Sequence, residues 1–129
     1  MVSPSRCINV AAQAARGTHF LLLNDDTEVL TPDWLERLLS MSQQEIGAVG
    51  ARLLFPNGHL QHVGISLNDG VPIHPYYGKP MQPGYQDCCI QPRNWLAVTA
   101  ACLLTPRLAF EKLGGFDERY ELNYNDVDY

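Results

Sequence analysis

The residues whose types and spacing suit catalysis or metal binding fall in two clusters of polar side chains. The first lies in "LLLNDDTEVL", where Asn24, Asp25 and Asp26 follow three leucines. Carboxylates in this place can bind a hard divalent cation, which prefers oxygen ligands and often completes its shell with phosphate oxygens. An alternative stays open, in which Asn24 and Asp25 form an Asx-type turn that ends a strand and faces water.

The second cluster lies in "GGFDERYELNYNDVDY", where Asp117 and Glu118 follow a pair of glycines. Asp126 and Asp128 come later, two residues apart. That spacing places two side chains on opposite faces of a strand, or about 200° apart on a helix. We therefore expect one of these two aspartates to point into a site and the other to be exposed or to cap a helix.

Composition limits the classes of protein to which the chain can belong. Its 129 residues suit one domain, and 46% hydrophobic residues predict a packed core. The net charge of -5, without a basic stripe, argues against a nucleic-acid partner. The sequence shows no signal peptide, no apolar run near the roughly 20 residues of a membrane span and no CxxC pair, so we expect a cytoplasmic protein.

The order of predicted elements places the first cluster at the end of a buried strand. "SRCINVAAQAARG" predicts a helix, "THFLLLN" a strand, and "TPDWLERLLSMSQQE" a helix with Thr31 as its N-cap. "IGAVGARLLF" predicts a strand, "PNG" a hairpin turn, residues 68–93 a long loop, "NWLAVTAACLLT" a strand and "PRLAFEKLGG" a helix. This order predicts an α/β layer fold with a sheet that is at least partly parallel, whose ligands lie beyond the carboxyl ends of the strands. Because no strand precedes the first helix, we expect the chain to be a fragment.

The segments "LLLNDDTEVL", "GARLLFPNGHLQHVGISL", "TAACLLTPRLAFEKLGGFDERY" and "NDVDY" together resemble the family 2 glycosyltransferases, over nearly the whole chain and in family order. They are most similar to rhamnosyl- and related sugar-transferases of bacterial surface polysaccharide assembly. The resemblance implies an α/β, GT-A-like nucleotide-diphospho-sugar transferase fold, with a mixed sheet flanked by helices. Residues 1–129 would form a single, partial catalytic domain, incomplete because the nucleotide-binding strand and the C-terminal end are missing.

The resemblance also implies the reaction. It is an inverting, divalent-metal-dependent transfer of a sugar from a nucleotide-diphosphate donor to a saccharide or lipid-linked acceptor, with Mg2+ or Mn2+ as cofactor. Such an enzyme would work in the cytoplasm, in peripheral association with the inner face of the membrane. The alternative from another class is a truncated, non-catalytic remnant that acts at most as a sugar- or protein-binding domain.

Site residues follow from the resemblance position by position. Asp26 matches the last acid of the metal motif and would bind the cation directly. Asn24 replaces the first acid, and Asp25 would lie near the donor sugar or ribose, so residues 24–26 would bind the donor diphosphate. Asp126 matches the catalytic base, which accepts the proton of the attacking hydroxyl.

Several other residues carry weaker expectations. Those on the acceptor side would be Asp117, Glu118 and Trp95; the two acids could instead order their loop, and Trp95 could instead pack in the core. We expect His62 to be a structural histidine. The long loop carries His74 and tyrosines 76, 77 and 85, and for these side chains stacking on an acceptor sugar and ordinary packing both stay open.

Overall fold

The structure, a computed structural model, describes residues 3–42, 46–120 and 124–129. It has a mixed α/β architecture of short strands and helices. Its helices are α1 (Pro4–Ala14), α2 (Trp34–Met41), α3 (Arg107–Leu113) and α4 (Asn125–Asp128), with a 3-10 turn at Tyr85–Asp87. Its strands are β1 (His19–Leu23), β2 (Val49–Gly50), β3 (Leu53–Leu54), β4 (Leu60–His62), β5 (Ser66–Asn68), β6 (Val71–Ile73) and β7 (Cys102–Pro106).

The central sheet has three strands in the order β1-β7-β2. Both outer strands are antiparallel to β7, so β1 and β2 run in the same direction and α2 connects them. The predicted parallel pairing is therefore wrong for the strands that the structure describes, because β7 lies between the two strands that α2 joins. All the other ladders in this part of the chain are antiparallel as well.

The sheet lies between two layers of helices. Successive apolar side chains of β1 point to opposite faces of the sheet, and each face is covered by helices. Phe20 and Leu22 face a cluster with Phe110 of α3 and apolar residues of α1. Leu21 faces the opposite side, where Leu38 of α2 packs with residues of β7. Strand β7 is buried over four consecutive residues, as expected for a central strand covered on both faces.

Three predicted segments differ from the structure. The segment 46–55, predicted as one strand, forms β2 in the central sheet and β3 in a separate two-stranded sheet. Helix α2 begins at Trp34, with Asp33 at the N-cap position, because the Trp34 N–H donates to the Thr31 carbonyl in a turn before the helix. The segment 94–101 does not continue strand β7, although Ala97 forms one antiparallel bridge with Ile65. The strand at 19–23, the turn at 56–58 between β3 and β4, and the helix after Pro106 are confirmed.

The predicted loop 68–93 is in part a β-hairpin. Strands β5 and β6 pair through Asn68↔Val71, and the two residues between them, Asp69 and Gly70, both have positive φ. An Asp-Gly pair with this backbone is the favoured two-residue hairpin turn, so the sequence "LNDGV" carried a signal that the loop prediction overlooked. Within the residues that the structure describes, no helix is long and apolar enough to span a membrane.

Candidate functional site

A cleft of about 1080 Å3 runs along the whole of β1 and reaches Asn24, just past its carboxyl end. Its walls come from one face of α1, from β1, from the chain that leads into β7, and from α4. Small side chains of α1, such as Ala11 and Ala12, leave the space open. The polar groups on the walls include Asn24, His74 and Asp126, whereas no Lys or Arg lines the cleft in the part of the chain that the structure describes.

Asp126 lies half-buried on the cleft wall, in the short helix α4. Its Oδ2 accepts a hydrogen bond of 3.0 Å from the Ala100 N–H, just before β7 begins. This bond fixes the carboxylate against the backbone and leaves its remaining lone pairs for other donors. Asp128, two residues further on, is exposed and does not line the cleft, as expected for a pair of which one member faces a site.

Asn24 lines the same cleft at the end of β1. Its N–H donates to the Ala101 carbonyl at 3.0 Å, and its own carbonyl accepts from the hydroxyl of Thr27 at 2.7 Å. Residues 24–27 thus form a turn, with Asp25 and Asp26 at its exposed central positions. The structure brings Asn24 and Asp126 to one cleft and leaves Asp25 and Asp26 outside the set of lining residues.

The turn offers the oxygen donors that a hard cation prefers, but its side chains supply fewer ligands than such a cation needs. Asp25 and Asp26 offer exposed carboxylate oxygens, and neither forms an ion pair within the described residues. Over the same residues, no group of three or more His, Cys, Asp or Glu side chains is placed to hold a metal ion. A cation here would need further ligands, such as water or diphosphate oxygens, and the role of Asp26 stays a prediction.

Asn9 of α1 ties down the Gly-Gly loop that precedes the second acidic cluster. Its Oδ1 accepts from the Phe116 N–H at 2.9 Å, and its Nδ2 donates to the Phe116 carbonyl at 2.9 Å and to Glu118 Oε1 at 3.1 Å. Gly115, at φ 84°, passes so close to Asn9 that a Cβ would lie 2.4 Å from Asn9 Oδ1. Glu118 therefore helps to order this loop, which is one of the two roles expected for it.

Asp117 and Trp95 also lie away from the walls of the cleft. Asp117 forms an ion pair with Arg119, and hydrogen bonds from that guanidinium lower the pKa of the half-buried carboxyl group. Trp95 packs in a cluster with Leu60 and with the buried cysteines 88 and 89. The contacts of Trp95 are those of the core-packing alternative, and the acceptor-side role of both residues stays a prediction.

A pair of histidines that the sequence analysis had not connected lies beside the cleft. His62 is buried at 2% exposure, and its Nδ1 lies 2.9 Å from Nδ1 of His74. On its other side, His62 Nε2 accepts from the Thr99 N–H at 3.3 Å. Burial and the neighbouring His74 lower the pKa of His62 to about 4, although the negative charge of Asp126 acts in the opposite direction. The His62 ring is therefore neutral at pH 7.

Tyrosines 76, 77 and 85 of the predicted loop do not line the cleft. The Tyr76 hydroxyl accepts from the Tyr85 N–H at 2.8 Å, and the Tyr77 ring meets Phe55 edge to face at 5.2 Å. The position of His74 depends on the β5–β6 hairpin, because β6 ends at Ile73, the residue before it. The Asp-Gly pair predicts that hairpin, and the hairpin places His74 at the end of a strand that runs back alongside β5.

Comparison with known proteins gives two relatives, while no family model and no solved structure matches the chain. The "O-antigen biosynthesis protein RfbC" of Myxococcus xanthus is 44% identical over 127 residues, which cover 93% of this chain and 10% of that protein. The "Uncharacterized protein y4gI" of Sinorhizobium fredii (strain NBRC 101917 / NGR234) is 37% identical over 124 residues, or 93% of this chain and 14% of that protein. The chain thus spans a small part of the length of both relatives.

Proposed function

We propose that this chain carries the catalytic base of an inverting glycosyltransferase of surface polysaccharide synthesis. The observation that carries the proposal is the Asp126 carboxylate, which is held by the Ala100 N–H on the wall of a cleft that also contains Asn24. The name of the Myxococcus relative, an O-antigen biosynthesis protein, supports the pathway. The donor would be a nucleotide-diphosphate sugar, and the acceptor a saccharide or a lipid-linked saccharide.

In this proposal Asp126 accepts the proton of the acceptor hydroxyl. The hydroxyl oxygen forms its bond to the anomeric carbon while the bond to the nucleoside diphosphate breaks, so the configuration inverts. Because Oδ2 already accepts the Ala100 N–H, the carboxylate is held in place, and one of its remaining lone pairs would accept the proton of the incoming hydroxyl. A lipid-linked acceptor would bring the protein into peripheral contact with the inner face of the membrane.

The proposal includes Mg2+ or Mn2+, held by Asp26 with Asp25 beside it. When bound, the cation would offset the negative charge that develops on the departing diphosphate. One feature supports this placement: the carboxylates of Asp25 and Asp26 are exposed and form no ion pair within the described residues. Asn24, which would take the first position of the motif, contributes an amide in place of a second charge.

One observation favours the alternative of a sugar- or protein-binding domain without catalysis. Asp25 and Asp26 are exposed on their turn and do not line the cleft that holds Asp126. A cleft with a carboxylate, an amide and an imidazole can still bind the hydroxyl groups of a sugar. The two functions therefore differ in whether the chain binds a nucleoside diphosphate together with a metal ion.

Calorimetric titration of the chain with UDP and dTDP, with and without Mn2+, separates the two. The proposal expects binding that depends on Mn2+ and that is lost in Asp26→Asn. The matched control is Asp69→Asn, an equally exposed aspartate in the β5–β6 turn, whose positive φ suits asparagine. If the folded chain binds a nucleotide equally well without metal, or if Asp26→Asn binds it as tightly as the unmodified chain does, the proposed metal site is wrong. If the folded chain binds neither nucleotide, the nucleotide subsite lies outside residues 1–129.

A further inference from the structure

The hydrogen bonds of His62 determine which nitrogen of His74 carries a proton. The Thr99 N–H can only donate, so His62 Nε2 must be unprotonated and the proton of the neutral ring must lie on Nδ1. His62 Nδ1 then donates to Nδ1 of His74 across 2.9 Å. His74 in turn carries its own proton on Nε2, for which no acceptor is found within the part of the chain that the structure describes.

The same stretch of backbone holds this pair and the proposed base. The Thr99 N–H donates to His62, and the next amide, that of Ala100, donates to Asp126. The two side chains are thus anchored one residue apart on the segment that leads into β7. His62 is buried, whereas His74 is exposed and lines the cleft together with Asp126.

We propose that His74 donates its Nε2 hydrogen to a hydroxyl group of a saccharide acceptor in the cleft, and that His62 is the positioning residue that fixes this tautomer. The inference rests on the proposed function, which makes the acceptor a saccharide. A neutral donor in the same cleft as the negative charge of Asp126 suits an uncharged hydroxyl better than a phosphate oxygen, because no Lys or Arg lines the cleft within the described residues. The acceptor would thus be oriented by His74 and deprotonated by Asp126.

NMR of the 15N-labelled chain tests both parts. Long-range proton–nitrogen correlations distinguish the two neutral tautomers of each of the four histidines. At pH 7 we expect the Nδ1–H form for His62 and the Nε2–H form for His74. The probes are methyl glycosides of rhamnose, mannose and glucose at millimolar concentration, with and without UDP and Mn2+, and we expect at least one to shift the His74 Nε2 resonance.

Variants separate binding from folding. We expect His74→Phe to weaken saccharide binding about fivefold, the effect of one ordinary neutral hydrogen bond, and His74→Gln to restore it through its amide donor. His62→Gln should convert His74 to a mixture of tautomers, which a merely structural role for His62 would not do. His59→Gln is the matched control, because His59 bonds to the Gly78 carbonyl and does not line the cleft.

The outcomes distinguish this inference from the proposed function. An Nδ1–H tautomer for His74, or no response of its ring to any of the glycosides, would overturn the inference even if UDP binds with Mn2+. A saccharide response together with nucleotide binding that does not depend on Mn2+ would keep the role of His74 in sugar binding and remove the proposed metal site. The tautomers of the unmodified chain decide the positioning role even if a His62 variant does not fold.

Discussion

Asn9→Ala should destabilise the chain through a contact between residues far apart in sequence. The Asn9 amide spans 107 residues to pair with both the N–H and the carbonyl of Phe116, a residue at 2% exposure. Alanine would leave these two part-buried backbone groups without their partner, at about 1–1.5 kcal/mol each. The third bond, to Glu118, is exposed and adds little. We therefore expect the free energy of unfolding to fall by about 2–3 kcal/mol.

Urea denaturation followed by circular dichroism measures this loss. The matched control is Asn57→Ala, which removes a single exposed bond from the His59 N–H and should change the free energy of unfolding by less than about 0.5 kcal/mol. Because Asn9 joins α1, one wall of the cleft, to the chain that leads towards α4, its loss should also weaken Mn2+-dependent UDP binding. A loss of stability no larger than that of the control would show that the amide does not hold the loop.

Three further predictions concern the base, the core and a buried histidine. In any chain with measurable transfer, Asp126→Asn should keep nucleotide binding and slow transfer by about 10²–10⁴-fold; near-normal turnover would contradict the base assignment. Gly64→Ala places a Cβ 2.1 Å from Trp95 and should lower the thermal midpoint sharply, whereas Gly47→Ala, with nothing within 4 Å, should not. Because the pKa of His62 falls from 6.5 to about 4 on folding, the unfolded state binds more protons, and stability should be lost as pH falls through that window. In urea titrations this loss should be at most about 3.5 kcal/mol and absent from His62→Gln; an equal loss in that variant would contradict it.

Local signals in the sequence were sufficient for several elements of the fold. The apolar run of β1, the turn at 56–58 and the helix between Pro106 and the glycine pair were each specified by residues adjacent in the chain. The position of β7 was not, because its insertion between β1 and β2 depends on packing of both its faces against residues distant in sequence. Hydrophobic periodicity reports that a strand is buried but not which strands lie beside it.

The candidate site was predictable to a similar degree. Acidic residues at the end of β1 and in the final segment stood out from their types, and the structure brings Asn24 and Asp126 to one cleft. The hydrogen bond between His62 and His74 could not be predicted from residue types, because the two rings meet only when the β5–β6 hairpin folds the chain back towards β4. The bond that holds Asp126 uses a backbone N–H, which every residue except proline carries and no side-chain pattern reveals.

The antiparallel insertion of β7 explains why these groups meet where they do. A parallel neighbour of β1 would place its own carboxyl end, and the loop after it, beside Asn24. An antiparallel neighbour instead places its beginning there, and the register Leu23↔Cys102 sets the residues before β7 against the end of β1. Thr99 and Ala100 lie before the first residue of β7, and their N–H groups donate to side chains instead of to a neighbouring strand. The strand order thus supplies the two adjacent donors that anchor His62 and Asp126 at the cleft.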